Sequence, residues 1–328
     1  MTAAPSALHV NDAAFTAARV VRRARQLGYR WDLLPRAFSD PSWTGPYGRV
    51  RRALTGAAWA GRLALEARRH DVVHVHSATT LPHVRPVLRR FVLHCHGSDV
   101  RSAQYEPGRG AGIRAGLIEA EAVFYSTPDL AEHVLPHRPD AVLLPVPVDV
   151  DLLPTWRPDP ARPQVVFASR WEPVKGLEAQ LETARLLVES LGESATVVGL
   201  DWGPGAADAR AAGVPLVPRV THDEYVRMLA RATVVVGQAA GILSSSELEA
   251  LGCGAPLVVP APLLVTEGEP PPVHGHDPVS AAAAALRIIQ GSGTHSAERS
   301  RAWVREHHGV DQGVATLAES YRGVVAAR

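Results

Sequence analysis

The feature that most limits the fold of this chain is a repeated alternation of short apolar runs with amphipathic stretches. The runs are rich in Val and Leu and mostly lack the polar alternation of a half-exposed strand. They therefore predict parallel strands that helices cover on both faces. The runs are ALHV, WDLL, DVVHVH, RFVLHC, AVFYS and AVLLP in the first half, and QVVFAS, ATVVGL, VPLVP, TVVVG and APLVVP in the second.

Helical patterns fill the gaps at residues 14–27, 53–69, 176–191, 222–231, 244–252 and 279–289, and the tail 296–328 predicts one or two further helices. Six prolines lie in residues 144–163, which can continue neither a helix nor a central strand. We therefore predict an α/β fold of two Rossmann-like, doubly wound domains, residues 1–155 and 156–310. A last helix at 311–328 is expected to pack back toward the first domain. Ligands of such sheets bind at the carboxyl ends of the strands, so the two domains are expected to face a central cleft.

Composition places the chain among soluble globular proteins, with 46% hydrophobic and 20% charged residues. It has no run of eighteen apolar residues and no secretory leader pattern, so we expect a cytoplasmic protein. Cys95 and Cys253 lie in apolar stretches, which indicates buried, reduced thiols. Residues 1–150 carry 19 basic and 13 acidic side chains and residues 151–328 carry 15 and 20, giving net charges of +6 and −5. The basic first half suits an anionic acceptor or an acidic membrane surface, although solvated helix faces explain it as well. We expect no nucleic-acid partner.

The stretch ASRWEPVKG contains Lys175, the only lysine beside thirty-three arginines. It follows a predicted strand and leads into a helix. Arg170 and Lys175 would hold an anion there, because the free N–H groups of a helix start add to their charge. A phosphate is the expected guest. The alternative is a surface ion pair with Glu172 or Glu178.

A second unit, residues 234–260, consists of a strand, a loop with two glycines, three serines and a helix. Ser244, Ser245 and Ser246 are candidate caps, with backbone N–H groups that point toward a bound phosphate. Glu249 lies inside the helix. Its carboxylate suits sugar hydroxyls, and the alternative is one more solvated glutamate.

The order of these motifs resembles the family 4 glycosyltransferases of the GT-B fold: Arg, four residues and Lys-Gly after one strand, then Leu-Glu-Ala and Cys-Gly-x-Pro. HCHGSDVR, FYSTPDL, LLPVPVD and PRVTHDEYVRMLARATVVV are similar to further segments of that family, so the resemblance spans nearly the whole chain. It implies retaining transfer of a hexose from a nucleoside diphosphate sugar, most simply a UDP-sugar. Arg170 and Lys175 would then bind the diphosphate and Glu249 the ribose. The nucleotide would also contact the loop Gly241, Ile242, Leu243, Ser244 and Ser245.

One position departs from the family pattern. The family usually has a second glutamate eight residues before the ribose glutamate, and this chain has Gly241 there. Gln238, Glu247 or backbone groups would have to contact the transferred sugar instead. A nucleotide-sugar epimerase and a catalytically weak nucleotide-sugar binder of the same fold therefore stay open as alternatives.

Two histidine pairs, His74 with His76 and His94 with His96, each point to one side of a strand. Such pairs suit metal binding, so a metal-dependent hydrolase is the rival hypothesis; it requires further ligands at the strand ends of a single barrel. The family resemblance instead implies that His96, with Gly97 and Ser98, contacts the donor sugar. His74 and His94 would then be core residues.

Asn11 and Asp12 follow the first strand and would either cap a helix or touch the acceptor. Capping is the favoured role for both. The DVD sequence at 149–151 lies in the proline-rich linker, so we do not assign it to a metal. We expect no essential metal or cofactor. The expected partners are the nucleotide-sugar donor, a small-molecule or lipid-linked acceptor and the inner face of a membrane.

Overall fold

A computed structural model describes residues 4–36, 43–264 and 269–328. The chain divides into two compact units. Unit 1 comprises Met1–Pro147 and Val310–Arg328, and unit 2 comprises Val148–Gly309. The division falls inside the proline-rich linker, a few residues before the predicted boundary at 155/156. The C-terminal helix belongs to unit 1.

Unit 1 contains a parallel sheet whose strands, in the described residues, lie in the order β2-β1-β3-β4-β5-β6. The strands are β1 (Ala7–Val10), β2 (Trp31–Leu34), β3 (Val72–His76), β4 (Val92–Cys95), β5 (Ala122–Tyr125) and β6 (Val142–Leu143). Its helices are α1 (Thr16–Gln26), α2 (Gly45–Ala67), α3 (Leu81–Val84), α4 (Ser98–Arg101), α5 (Gly110–Glu119), α6 (Ala131–Val134) and, from the end of the chain, α13 (Val310–Ala326).

Unit 2 contains the second parallel sheet, in the order β12-β11-β10-β7-β8-β9 over its described residues. The strands are β7 (Gln164–Phe167), β8 (Thr196–Leu200), β9 (Leu216–Val217), β10 (Val234–Val236), β11 (Leu257–Val258) and β12 (Val273–His274). The helices are α7 (Leu177–Leu191), α8 (Ala206–Ala211), α9 (His222–Arg231), α10 (Ser245–Cys253), α11 (Pro278–Ile289) and α12 (Ala297–His308).

The predicted α/β architecture of two doubly wound sheets is confirmed. Each apolar run of the sequence contains one of the described strands. The two-residue strand β12 was missed, because PPPVHG carries too few apolar residues to stand out. The metal-hydrolase hypothesis required a single barrel and is wrong on this point, since the strands form two separate sheets.

Both faces of the unit 1 sheet (sheet 1) are buried, so none of its described strands has the pattern of a half-exposed strand; the polar residues that alternate in β3 and β4 are buried histidines. Val10, Val75 and Leu93 pack on one face, whereas Ala7 and Val72 pack on the other. Successive strand residues point to opposite faces, so both sets come from the same strands. Helix α13 supplies part of the second face, where its Leu317 and Tyr321 join the cluster.

Cys95 and Cys253 are buried free thiols, as predicted. Burial raises the pKa of Cys253 to about 12, so this thiol stays protonated at neutral pH. None of the helices in the described residues combines the length and the apolar content needed to cross a bilayer.

Candidate functional site

The sheet of unit 2 reverses its strand order between β7 and β10. The chain runs from β7 outward to β8 and β9, then returns to place β10 on the other side of β7. Open parallel sheets bind their ligands at such a reversal, beyond the carboxyl ends of the two strands. The loops that follow β7 and β10 meet there, and the Ala239 N–H donates to the Lys175 carbonyl at 3.0 Å.

Gly176 allows these two loops to approach each other. Its φ of +71° lies in the left-handed region that favours glycine. A Cβ added to Gly176 would lie 2.6 Å from Ala239 Cβ and 2.7 Å from its carbonyl oxygen. The Lys-Gly pair in the sequence therefore has a structural basis: the glycine closes the turn that carries Lys175.

We expect Gly176→Ala to destabilise unit 2 by about 1–3 kcal/mol, because the new methyl group overlaps backbone that cannot yield easily. Gly291→Ala is the matched control: it has a φ of +72° in the same unit, and its added Cβ meets nothing within 4 Å. Denaturant unfolding of both variants measures the difference. Equal losses would show that the left-handed φ, and not the contact with Ala239, determines the effect.

Arg170 points toward the loop that follows β8. Its Nε lies 2.9 Å from Glu172 Oε2, although without the alignment of a hydrogen bond. Its guanidinium lies over the ring of Trp202, 5.2 Å from the centroid. Arg219 lies over the same ring at 4.5 Å. The predicted ion-pair alternative is therefore realised for Arg170, and the sequence interpretation missed both Trp202 and Arg219. The exposed tryptophan of the glycine-rich DWGPG loop was the available signal.

Lys175 ends a short 3-10 helix, Pro173–Lys175, that leads into α7. Its carbonyl accepts hydrogen bonds from the Gln180 side chain at 2.7 Å and from the Ala239 backbone. Its side chain is partly buried. Helix α7 and the loop after β10 therefore fix the backbone of this lysine at the strand reversal.

Of the three candidate caps, Ser244 is the one that caps α10, through a capping box with Glu247, whereas Ser245 and Ser246 lie inside the helix. The Glu247 carboxylate accepts from the Ser244 N–H at 2.9 Å and from its hydroxyl at 2.5 Å, while its other oxygen accepts from the Gln238 N–H at 3.1 Å. Glu247 is completely buried. This carboxylate therefore holds the loop between β10 and α10 together. Both of its oxygens accept hydrogen bonds from the protein, so Glu247 is a poor substitute for the missing glutamate.

Gln238 offers an acceptor next to this loop. Its side chain is buried, and its Nε2 donates to the Ile242 carbonyl at 3.0 Å. Its Oε1 has no hydrogen-bond partner among the described residues. Gly241 has a φ of +73°, so a glutamate at this position would force a strained backbone or a different loop. Leu243 and Ser245 are partly buried beside it.

Glu249 is 2% exposed, so the alternative of a solvated glutamate is wrong. Its Oε1 lies 2.7 Å from Nε2 of His222, the first residue of α9. Thr221 caps α9 by a box with Glu224, which fixes the orientation of this helix start. Tyr225 donates from the same helix to the Ala168 carbonyl at 2.5 Å, at the exit of β7. The sequence interpretation did not single out His222, since a histidine at a helix start carries no distinct signal.

In unit 1 the strand order reverses between β1 and β3. The Asn11 amide bridges the two loops: Nδ2 donates to the His76 carbonyl at 2.9 Å and to Thr80 Oγ1 at 3.1 Å. Asp12 Oδ1 accepts from the N–H groups of Ala17 and Ala18 in the first turn of α1, at 3.0 and 3.3 Å. Asp12 thus has the favoured capping role, whereas Asn11 bridges the two loops through its amide instead of capping a helix.

The loop after β4 is held by the buried carboxylate of Asp99. It accepts from the N–H groups of His96 at 3.1 Å, Gly97 at 2.9 Å and Ala78 at 2.8 Å. Gly97 has a φ of +134°, and Ser98 begins α4 with an exposed side chain. His96 is partly buried and lies at the outer end of a cluster of histidines.

Next to this loop, unit 1 contains a cavity of about 900 Å³. Ala78 and Thr79, directly after β3, form one wall, so the cavity opens on the carboxyl side of the sheet. Its lining includes three arginines, Arg36, Arg85 and Arg109. Arg85 pairs with Glu119 at 2.5 Å and Arg109 with Glu106 at 3.0 Å, so an anionic ligand would compete with these glutamates.

Buried histidines of unit 1 form a chain of hydrogen bonds that starts at His96. His96 Nε2 lies 3.0 Å from His76 Nδ1, and His76 Nε2 lies 2.9 Å from His9 Nδ1. His9 Nε2 lies 3.3 Å from the Tyr321 hydroxyl, which is 2.5 Å from His74 Nδ1. A side chain of α13 therefore completes a network built on β1, β3 and β4.

Neutral rings satisfy every bond of this chain when the protons are assigned in one direction. His74 Nδ1 donates to Tyr321, Tyr321 to His9, His9 to His76 and His76 to His96. At the outer end, His96 Nδ1 and His94 Nε2 both donate to Ser126 Oγ, at 3.0 and 3.2 Å, and that hydroxyl donates to the Cys95 carbonyl at 3.0 Å. His74 Nε2 and His94 Nδ1 remain as bare acceptors without a partner.

Burial explains why the rings are neutral. It lowers the pKa of His9 to about 3 and that of His96 to about 4. Burial also lowers the pKa of His74, His76 and His94 well below the ordinary value. Both ring nitrogens of His96 are engaged with protein groups, so contact with a ligand through the ring requires one of these bonds to open.

Two groups of three histidines have ligand nitrogens within 4.8 Å of one another: His9, His74 and His76, and His76, His94 and His96. Their contacts fit hydrogen bonds better than a metal. The N···N distances of 2.9 and 3.0 Å join rings pairwise, Nδ1 to Nε2, along one chain that neutral imidazoles satisfy. His74 and His76 stack face to face, with centroids 4.5 Å apart and planes at 10°, so their edges do not converge. The expectation of no essential metal remains a prediction.

No protein-family model matches the sequence, and no curated protein matches it. Several solved structures share the fold. AviGT4, a glycosyltransferase involved in avilamycin A biosynthesis, is 20% identical over 99% of each chain with a TM-score of 0.64. Alr3699/HepE from Anabaena, solved in complex with UDP and glucose, is 14% identical over 97% of this chain and all of that chain, with a TM-score of 0.65.

A variant of TarM from S. aureus, solved with fondaparinux, α-GlcNAc-glycerol and UDP, is 12% identical. It covers 80% of this chain and 59% of its own, with a TM-score of 0.62. At these identities the likeness establishes the fold, which is the GT-B fold.

Proposed function

We propose that this protein is a retaining glycosyltransferase that uses a nucleoside diphosphate sugar, most simply a UDP-hexose. The observation that supports this most is the strand reversal of unit 2. There the turn of Lys175 is locked against Ala239, beside the Ser244-capped start of α10. A cation and the N–H groups that the capping box leaves free at a helix start together suit a diphosphate. Structures of this fold bind UDP, as Alr3699/HepE does, and this supports UDP as the nucleotide.

Roles for the remaining residues follow from this proposal. The ion pair with Glu172 holds the Arg170 guanidinium in position before the donor binds. When the donor binds, its diphosphate replaces Glu172 as the partner of Arg170. Glu249 accepts the ribose hydroxyls, with His222 orienting its carboxylate at 2.7 Å. The loop Gly241–Ser245 contacts the nucleotide through its backbone, and the bare Oε1 of Gln238 accepts from a hydroxyl of the transferred sugar.

In the proposed reaction the bond between the anomeric carbon and the phosphate oxygen breaks on the same face on which the acceptor oxygen bonds. The leaving phosphate takes the acceptor's proton. Lys175 and Arg170 stabilise the charge that develops on the phosphate, and positioning supplies the rest of the rate acceleration. No protein nucleophile is needed. His96, Gly97 and Ser98 are proposed to contact the donor sugar.

We place the acceptor in unit 1, at the arginine-lined cavity beside β3. Arg36, Arg85 and Arg109 favour an acceptor with an anionic group, which a small molecule or a lipid-linked acceptor would supply. Asn11 is close to this position through its contact with Thr80, and it shapes the loop that borders the acceptor.

A thermal-shift screen of UDP, GDP, ADP and dTDP with their sugars tests the proposal. A ligand at a hundred times its dissociation constant stabilises the native state by about 2.7 kcal/mol, so the correct nucleotide raises the melting temperature. We expect UDP and a UDP-sugar to do so, with no need for a divalent ion.

Failure of every nucleotide to raise the melting temperature would contradict donor binding. A shift without sugar transfer or hydrolysis would instead support the non-catalytic binder. Product analysis separates an epimerase, which returns an isomerised nucleotide sugar, from a transferase. Complete loss of activity with a chelator, restored by a divalent ion, would contradict the metal-independent mechanism.

A further inference from the structure

Helix α2 has an apolar face that the fold uses. Trp59 and Leu63 are buried in the core cluster of sheet 1, and Trp59 Nε1 donates to the Pro35 carbonyl at 2.9 Å. A helix advances by about 100° per residue, so these two side chains lie within about 40° of one direction. This face is enough to hold α2 on unit 1.

The same helix carries a second apolar face, which is exposed. Tyr47 is 80% exposed, Val50 57%, Leu54 67% and Leu65 49%. Tyr47, Leu54 and Leu65 fall within about 20° of one direction, and Val50 lies about 60° to one side. The direction of this stripe is about 120–160° away from the buried face. It extends for about 27 Å along the helix.

Such an arrangement is confined to α2. Every other α-helix in the described ranges exposes at most one large apolar side chain, such as Ile118 on α5 or Val279 on α11. Single exposed apolar residues need no explanation, but a row of them on one helix face marks an interaction surface.

The charges around the stripe indicate what it contacts. Residues 45–69 carry six arginines and one acidic residue, Glu66, for a net charge of +5. Arg51, Arg62 and Arg69 lie about 40–60° from the stripe on one side, and Arg68 lies about 60° from it on the other. Glu66 pairs with Arg69 at 3.3 Å. An apolar stripe flanked by a row of arginines on one side and by Arg68 on the other is typical of a helix that lies in the plane of a membrane surface.

We propose that this stripe docks unit 1 on a lipid surface that contains anionic lipids. The apolar side chains enter the boundary between head groups and acyl chains, while the arginines contact lipid phosphates. A second copy of the chain is a poorer occupant, because pairing two α2 helices would bring two like charges of +5 together. The inference does not depend on sugar transfer.

Co-sedimentation of the full-length protein with vesicles tests the proposal. We expect binding to vesicles of phosphatidylcholine with phosphatidylglycerol, little binding to phosphatidylcholine alone, and weaker binding at high salt. The double variant Leu54→Ser, Leu65→Ser should bind the anionic vesicles at least about tenfold more weakly. Arg51→Gln with Arg62→Gln should weaken binding and reduce its salt dependence.

Ile118→Ser is the matched control, because Ile118 is 63% exposed on another helix of the same unit. It should bind vesicles like the parent. Absence of vesicle binding by the parent, or unchanged binding by the Leu54/Leu65 variant, would overturn the proposal. A dimer of the parent protein in sedimentation that is absent from the Leu54/Leu65 variant would also overturn it, because the stripe would then bind a second copy of the chain. A nucleotide thermal shift measured on the same variants reports donor binding separately, so failure of either proposal leaves the other testable.

Discussion

Replacing Lys175 by Ala is expected to weaken UDP binding and to lower turnover by about one to three orders of magnitude, the usual cost of losing one charge-stabilising group. The backbone of Lys175 is held by Gln180 and Ala239 at the strand reversal, so the site keeps its shape when the side chain is shortened. The loss therefore reports the ammonium group. Binding is measured by calorimetry and turnover by release of UDP from the donor.

Lys175→Arg should also be impaired, because a planar guanidinium replaces a compact ammonium on a turn that has no freedom to shift. Arg162→Ala is the control for loss of a positive charge from the same sheet: Arg162 is exposed and precedes β7, at the opposite end of the strand. It should leave both measurements unchanged. Full activity of the Lys175→Arg variant would show that only the charge matters there.

Unit 1 is expected to lose stability steeply below pH 6.5. An unfolded histidine has a pKa of about 6.5, whereas burial lowers the pKa of His9 to about 3 and that of His74, His76 and His94 well below the ordinary value. The unfolded chain therefore binds more protons as the pH falls, and acid favours unfolding. The stability is complete above pH 6.5 and declines below it.

The expected size of this effect is large. Each completely buried histidine costs about 2 kcal/mol between pH 7.5 and pH 5, and four of them approach the whole unfolding free energy of a typical protein, about 5–15 kcal/mol. Melting curves across this range should show a steep fall in melting temperature. Near pH 5.5 the unfolding of unit 1 should take up about four protons from these four residues and about one more from His96, whose pKa is lowered to about 4.

Burial also lowers the pKa of His83, so this ring adds to the slope of unit 1. It lowers the pKa of His274 and His295 as well, and these two rings add a slope of the same sign to unit 2. His276→Gln is the control, because His276 is 74% exposed and belongs to unit 2, so this change should leave the pH dependence of unit 1 as it is. A melting temperature that stays flat from pH 7.5 to pH 5.5 would contradict the neutral hydrogen-bonded chain.

Several features of the site were predictable because they depend on local sequence. A loop from a parallel strand into a helix must emerge at the carboxyl end of the sheet, so the positions of Arg170 and Lys175 followed from the pattern alone. The capping role of Ser244 followed in the same way, since a serine before a helix satisfies a backbone N–H close to it in sequence.

Contacts between distant segments were not predictable. The partners of Glu249, His96 and Arg170 depend on which loops meet: His222 comes from α9, His76 from a neighbouring strand and Trp202 from the loop after β8. No local rule connects a histidine at a helix start with a glutamate 27 residues later.

The two α/β units and the loops that carry the candidate diphosphate site could be predicted from the amino-acid sequence, because apolar periodicity and turn chemistry act over short distances. The burial of Glu249 against His222, the bonds of Glu247 within its own loop and the chain of histidines with Tyr321 became visible only in the folded protein. Burial and long-range packing set these environments, and both arise only when segments far apart in the sequence come together.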